Sequence, residues 1–345
     1  MYIHIVYISI SRMAAFEPPF RRIMRALENS GYGIIDANAA ACAQPRRGYL
    51  FRVQEYGTRR TAYAKVRVPA DRDRALYEIQ AHKVLPSSYA KLYALDVLRV
   101  QTAQGEWIIL ITNTVGEQDV FTYLTSPSIN LERSHNPRTI RNDVLQLARD
   151  VSTQLVQCHA KMLLHGDIKP ENVVVNDANK DTDELRFILI DFEAAQVIDT
   201  HRRDTGGTAC YADVTTLDSK VKEHALSGDV WQLGIIMALF LLDTPLQEFE
   251  RRDSAKQVRK TEWDPRYEMH RAIEHAFASP EHGLLPALEQ TCDTMGVPGL
   301  YPLLYRMLSP NPNERPSASE IEEFTECEIF ARERGTRAER ESQLC

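Results

Sequence analysis

Apolar and polar positions follow two regimes along this chain. From Tyr49 to Thr112 they alternate or form short blocks, and from Thr139 onward they recur every three to four residues. Tyr49 to Tyr56 and Thr61 to Val68 read as strands, with Gly57-Thr-Arg-Arg60 as the turn between them. Asp71 to Leu85 places Ala75, Ile79 and Val84 at helical spacing behind an acidic start. Leu95 to Gln101 and Trp107 to Thr112 flank a turn at Gln104-Gly105 and read as the last strands of a five-stranded unit.

The second regime predicts helices. Thr139 to Met162 carries Val144, Leu145, Leu147, Ala148, Val151, Leu155 and Cys158 as one apolar stripe. Val230 to Leu242 is apolar all round, which predicts a buried helix capped by Asp229. Further helices are expected at Thr261–Ala278, Leu284–Met295, Tyr301–Leu308 and Ser317–Ala331, and the mixed-charge tail after Arg332 is expected to fray. Val173–Val175 and Phe187–Ile190 are short strand candidates. At the front, Phe20 to Leu27 predicts an amphipathic helix ended at Asn29-Ser-Gly31, within an N-terminal extension over residues 1–44. The whole is an α+β chain, β-rich first and mainly helical afterwards.

Composition narrows the picture. The 345 residues are 43 % hydrophobic and 26 % charged, which suits one large domain or two lobes. A net charge of −7 does not favour nucleic acid as a partner. Six scattered cysteines with no C-x-x-C pair indicate neither a zinc site nor a disulfide framework, and point to a reducing, intracellular compartment. The apolar opening Met1 to Ile10 is too short to span a bilayer, and Arg12 follows it rather than preceding it, so neither a membrane span nor a signal peptide is expected.

The chemistry gathers at His165-Gly-Asp-Ile-Lys-Pro-Glu-Asn172 and at Leu189-Ile-Asp-Phe192. The first resembles the catalytic loop of the protein kinase superfamily, H-R-D-x-K-x-x-N, and the second resembles that family's metal-binding D-F-G. Ser227-Gly-Asp-Val-Trp-Gln-Leu-Gly234 is similar to its D-V-W-S-x-G, and Gly206-Gly-Thr-Ala-Cys-Tyr211 to its G-T-x-x-Y anchor. The resemblance runs over residues 45–332 and implies a bilobal fold with ATP and Mg²⁺ between an N-lobe (45–112) and a C-lobe (116–332). It implies Asp167 as the base for the attacking hydroxyl and Lys169 on the transferring phosphate. Asn172 and Asp191 would be the metal ligands, Lys65 the lysine on the α- and β-phosphates, and Glu78 its partner. Gly48 and Val53 would belong to the glycine-rich loop. Thr112 would be the gatekeeper, Asn113 to Val115 the hinge that bonds adenine, Asp119 a ribose contact and Val174 the adenine floor. Lys-Pro-Glu-Asn after Asp167 is the serine/threonine pattern, implying transfer to Ser/Thr hydroxyls of protein substrates.

Several positions depart from the family. Arg46 and Phe51 occupy glycine positions of the loop, Tyr63 stands where a small residue roofs the adenine, and Glu193 replaces the glycine after Asp191-Phe192. A-P-E is absent, so its arginine partner, Arg315, is expected to find another acid, Asp213 or Asp218. Gly166 replaces the arginine that grips a phosphorylated activation loop, which implies activity independent of that modification. Together, Tyr63, the poor glycine loop and the missing A-P-E keep open an alternative reading, a pseudokinase acting as a nucleotide-binding or scaffold module.

Overall fold

A computed structural model describes residues 18–36, 48–85, 94–113, 116, 118–127, 136–176, 185–198, 208, 211, 213, 222–242, 268–278, 280 and 283–343. The chain divides into two compact units, residues 1–115 and 116–345.

The first unit is built on a five-stranded antiparallel sheet. Its strands are β1 (Tyr32–Asp36), β2 (Gly48–Glu55), β3 (Thr61–Arg67), β4 (Ala94–Thr102) and β5 (Gly105–Asn113), in the order β1-β2-β3-β5-β4. One face packs under helix α1 (Pro18–Asn29), whose Ile23 and Leu27 join Phe51, Val53, Ala62, Ala64, Val66, Ile109 and Ile111 in one core. The other face carries helix α2 (Arg72–Val84), with Ala75 and Ile79 against Ile108 and Leu110. Side chains along β5 serve the two faces in turn, Ile109 and Ile111 toward α1 and Ile108 and Leu110 toward α2, which is why that strand is so apolar.

β1 lies in the segment expected to be an extension, and its five residues carry too little pattern to stand out. Its presence changes the strand pairing. The first hairpin is β1–β2, not β2–β3, and its connection, residues 37–47, lies outside the described residues. Gly48 is therefore the first residue of β2.

The second unit is mainly helical. Helix α3 (Val120–Thr125) follows a two-residue strand β6 (Gln118–Asp119), and α4 (Pro137–His159) runs through the core. Then come β7 (Leu163–Leu164), β8 (Val173–Val175), β9 (Phe187–Leu189) and β10 (Gln196–Val197). Helices α5 (Lys222–Leu241), α6 (Glu268–Ala278), α7 (Leu284–Thr294), α8 (Leu300–Met307) and α9 (Ala318–Gln343) complete it. Val144, Leu147, Val151 and Leu155 of α4 are all fully buried against Val230, Leu233, Ile236 and Met237 of α5.

Two helix limits differ from expectation. α5 starts at Lys222, so Asp229 sits in its second turn and does not cap it. The α9 backbone continues through Gln343, where a frayed tail was expected; Ala, Glu and Arg, frequent there, are strong helix formers. The expected helix residues 261–267 lie outside the described residues, as do Met1 to Ile10.

Candidate active site

In the first unit, β3 presents Tyr63, Lys65 and Arg67 on the α2 face, because alternate strand residues share a face. Lys65 Nζ meets Glu78 Oε1 of α2 at 3.1 Å, in a site where the Glu78 side chain is 4 % exposed. The cross-strand register pairs Leu50 with Lys65, Arg52 with Tyr63 and Thr112 with Tyr63, so these residues share the lysine's face. Ala62 and Ala64 point the other way, into the α1 core, so β3 does not shift to offer a small residue in place of Tyr63.

Val53 is a correction. It pairs with Ile34 and Ala62 on the α1 face and is fully buried there, on the opposite side of the sheet from Lys65. Leu50, 39 % exposed, is the apolar β2 residue on the lysine's face, and only the register could have selected it. Asn113 closes β5 opposite Ala62 with its side chain buried, and Val115 lies outside the described residues.

In the second unit, the catalytic-loop residues follow β7. Gly166 takes φ 78, a left-handed conformation that costs a side-chain-bearing residue roughly 1 kcal/mol or more. The loop is suspended from α5. Asp229, fully buried, accepts from His165 N at 2.9 Å, from Gly166 N at 2.8 Å, and meets His159 Nε2 at 3.0 Å. Gln232, one helical turn on, accepts from Ile168 N at 2.8 Å. Its role left no motif to read, although a glutamine in an otherwise apolar helix is itself a signal. Burial, more than the nearby Asp229 charge, pushes the Cys158 thiol up to about 12, so it stays protonated beside this carboxylate.

The His165 ring is fixed on both sides. Its Nε2 donates to Ile190 O at 3.0 Å, Nδ1 accepts from Asp167 N at 3.3 Å, and Phe192 meets the ring edge-on at 4.7 Å. Around Asp167 the polar groups converge. Lys169 Nζ donates to Asp167 Oδ2 at 3.0 Å and to Thr208 Oγ1 at 2.7 Å, while Thr208 N donates to Asp167 Oδ1 at 2.6 Å. Asn172 Nδ2 donates to Asp167 O at 2.8 Å and to its Oδ2 at 3.2 Å. Thr208 thus bridges Asp167 and Lys169.

Asp191 follows β9 with φ 65, an uncommon conformation for a side-chain-bearing residue. Ile190 N donates to Asn172 O at 2.8 Å, which brings the chain beside Asn172 just before Asp191. β9 is positioned by two polar residues of α4. Asp150 accepts from Arg186 N at 2.9 Å and Phe187 N at 3.0 Å, and Gln154 bonds Phe187 O and Leu189 N, each at 2.8 Å. These side chains satisfy backbone groups that a further strand would otherwise take. Their trace in the sequence is two polar residues, four apart, beside the apolar stripe.

The donors suit a hard cation. Asn172 commits its amide nitrogen to Asp167, leaving the acceptor oxygen to ligate, and Asp191 brings a carboxylate. Among the described residues no group of three or more His, Cys, Asp or Glu is placed to hold a metal ion. An ion here would complete its shell with phosphate and water oxygens, the habit of Mg²⁺.

The remaining expected positions also fall in this unit. Val174 lies on β8 between Asp119 and Ile188, partly exposed, with buried neighbours Val173 and Val175. A Cβ on Gly116 would stand 2.2 Å from Val174 Cγ1 and 2.6 Å from Val175 O, so this strand admits only glycine beside it. Asp119 caps α3 by accepting from Thr122 N at 2.7 Å. Asp213 pairs with Arg315, both fully buried; Arg315 also donates to Ser309 O at 2.8 Å and lies over the Trp231 ring. Asp218, the other acid considered, lies outside the described residues, as do Gly206 and Gly207.

The profile of the protein kinase domain matches residues 59–324, more than three quarters of the chain. The chain belongs to the protein kinase family. Its curated relatives include the serine/threonine/tyrosine-protein kinase HT1 of Arabidopsis thaliana, 28 % identical over 188 residues, covering 53 % of this chain and 40 % of that protein. The serine/threonine-protein kinase Aurora-2 of the same plant is 33 % identical over 106 residues, 31 % of this chain and 34 % of the relative. CBL-interacting protein kinase 15 of Oryza sativa subsp. japonica is 27 % identical over 173 residues, 49 % of this chain and 32 % of the relative. The chain thus spans between 32 % and 40 % of the length of these relatives. Among the described residues no helix is long and apolar enough to cross a membrane.

Proposed function

We propose that this protein kinase transfers the γ-phosphate of ATP to serine or threonine hydroxyls of protein substrates. The observation that carries the reading is the bonded set Asp167–Lys169–Thr208–Asn172. Asp167 accepts the proton of the attacking hydroxyl as its oxygen bonds to phosphorus and the bond to the leaving diphosphate breaks. Lys169 holds the charge of the transferring phosphoryl oxygens. Asn172 and Asp191 would hold Mg²⁺, which neutralises phosphate charge when bound. Lys65, oriented by Glu78, serves the α- and β-phosphates, and Thr208 fixes Asp167 and Lys169 to each other. Thr112, Asn113, Val115, Asp119 and Val174 keep their assigned nucleotide roles, and Leu50 replaces Val53. The serine/threonine activity in the name of Aurora-2, and beside tyrosine in that of HT1, agrees with Lys-Pro-Glu-Asn after Asp167.

Tyr63 favours a second reading. Its ring and Arg52 share the lysine's face where a small roof is usual, which would restrict the adenine site and leave a binding module without transfer.

Radiolabelled transfer from ATP·Mg²⁺, to the protein itself and to a basic protein, separates the two. Transfer abolished by Asp191→Asn and by Lys65→Met is expected. No transfer, with no nucleotide-dependent rise in melting temperature, would overturn the kinase reading in favour of the module.

A further inference from the structure

Among the described residues two cations, Lys65 and Arg67, meet Glu78. Lys65 Nζ takes Oε1 at 3.1 Å, and Arg67 Nη2 faces Oε2 at 3.5 Å. Arg67 is 5 % exposed, and its other terminal nitrogen, Nη1, donates to Asp71 Oδ2 at 3.3 Å. Asp71 immediately precedes α2 and Glu78 lies in its second turn, about 10 Å along the axis. Arg74 Nε stands 3.6 Å from the other Asp71 oxygen, so both carboxylates meet cations through both oxygens.

We propose that Arg67 is a positioning residue for the phosphotransfer assigned above, the inference resting on that reading for its consequence in catalysis. One tether, Lys65–Glu78, fixes one point of α2 and leaves the helix free to swing about it. The Arg67 fork adds a second contact on Glu78 and a new point at Asp71, just before the helix, and two carboxylates held by one planar group set the distance between strand and helix. Only arginine offers two terminal donors in a fixed plane; lysine keeps the charge and loses the fork. The second cation also answers the burial of Glu78. When Lys65 turns to phosphate, Arg67 still balances the carboxylate, so the glutamate is not left buried and uncompensated.

The test compares wild type, Arg67→Leu, Arg67→Gln, Arg67→Lys and Ile23→Ala. The last thins the core on the opposite face of the same sheet and controls for lost stability. Each is measured for kcat and KM toward ATP·Mg²⁺, and for hydrogen exchange in residues 72–84. Arg67→Leu and Arg67→Gln are expected to lower kcat/KM for ATP at least tenfold, with KM for the protein substrate unchanged and faster exchange in α2. Arg67→Lys is expected to fall between these variants and wild type, and Ile23→Ala to keep the wild-type KM for ATP. Arg67→Gln within twofold of wild type, with unchanged exchange in α2, would overturn the inference. If wild type transfers no phosphate, the kinase reading fails by itself, and the exchange data decide whether Arg67 holds the helix. Should Arg67→Leu not fold, Arg67→Gln and Arg67→Lys carry the same comparison.

Discussion

At the scale of single residues, the departures from the family pattern prove to be local exchanges with visible partners. Asp213 takes the acid role expected from the missing A-P-E, because Arg315 is buried and requires a counter-charge. Breaking a buried pair from one side strands the other charge, at a cost of about 3–5 kcal/mol. Asp213→Ala is expected to lose that much stability in urea titration, and a loss below about 1 kcal/mol would show that the pair carries little. Gly166 supplies a left-handed turn rather than a cation. With no arginine to grip a phosphorylated loop, Thr200→Ala with Thr205→Ala is expected to keep most phosphotransfer activity. Loss of most of it in a radiolabel assay would contradict this.

At the scale of elements, α1 is a structural part of the first unit. Leu27 is fully buried between helix and sheet, and Arg22 donates to Gln101 O at 3.0 Å on β4. Leu27→Ala should cost about 2–5 kcal/mol, read as a lower denaturation midpoint, the range of large-to-small core changes. α4 and α5 do a different task. Their buried polar residues Asp150, Gln154, Asp229 and Gln232 satisfy the backbone of β9 and of the catalytic loop. The apolar stripe of α4 was legible in the sequence because 3.6-residue periodicity needs no partner to be seen. Its polar anchors were not, because a polar residue beside a stripe looks the same whether it faces water or a strand.

Across the molecule, burial shapes the response to alkaline pH. Cys158 and Cys292 are pushed up to about 12 by burial first and a neighbouring aspartate second, and burial with the Asp96 bond raises Tyr32 to about 12. A folded-state pKa above the unfolded one means that the unfolded chain releases its proton first. Their contribution is intact below about pH 9 for the thiols and about pH 10 for Tyr32, and is lost as pH rises toward 12. The melting temperature is expected to fall above about pH 9, and less steeply in Cys158→Ala with Cys292→Ala. Equal slopes in the two proteins would rule out the thiols as a cause.

The sequence alone determined the family, the α+β class, the catalytic loop and most helices. These rest on short contiguous motifs and on periodicity, which the chain carries locally. It also determined Glu78 as the partner of Lys65, through family spacing. Tertiary structure decided which sheet face each strand residue serves. β1 moved the first hairpin, and the β2–β3 register placed Val53 beneath α1 and put Leu50 and Arg52 beside Lys65 and Tyr63. Tertiary structure also selected Asp213 for Arg315 and joined Arg67 to Glu78 and Asp71. The reason is the same in each case: strand register and buried charge pairing couple residues far apart in the chain, and only packing settles which of several equal candidates meet.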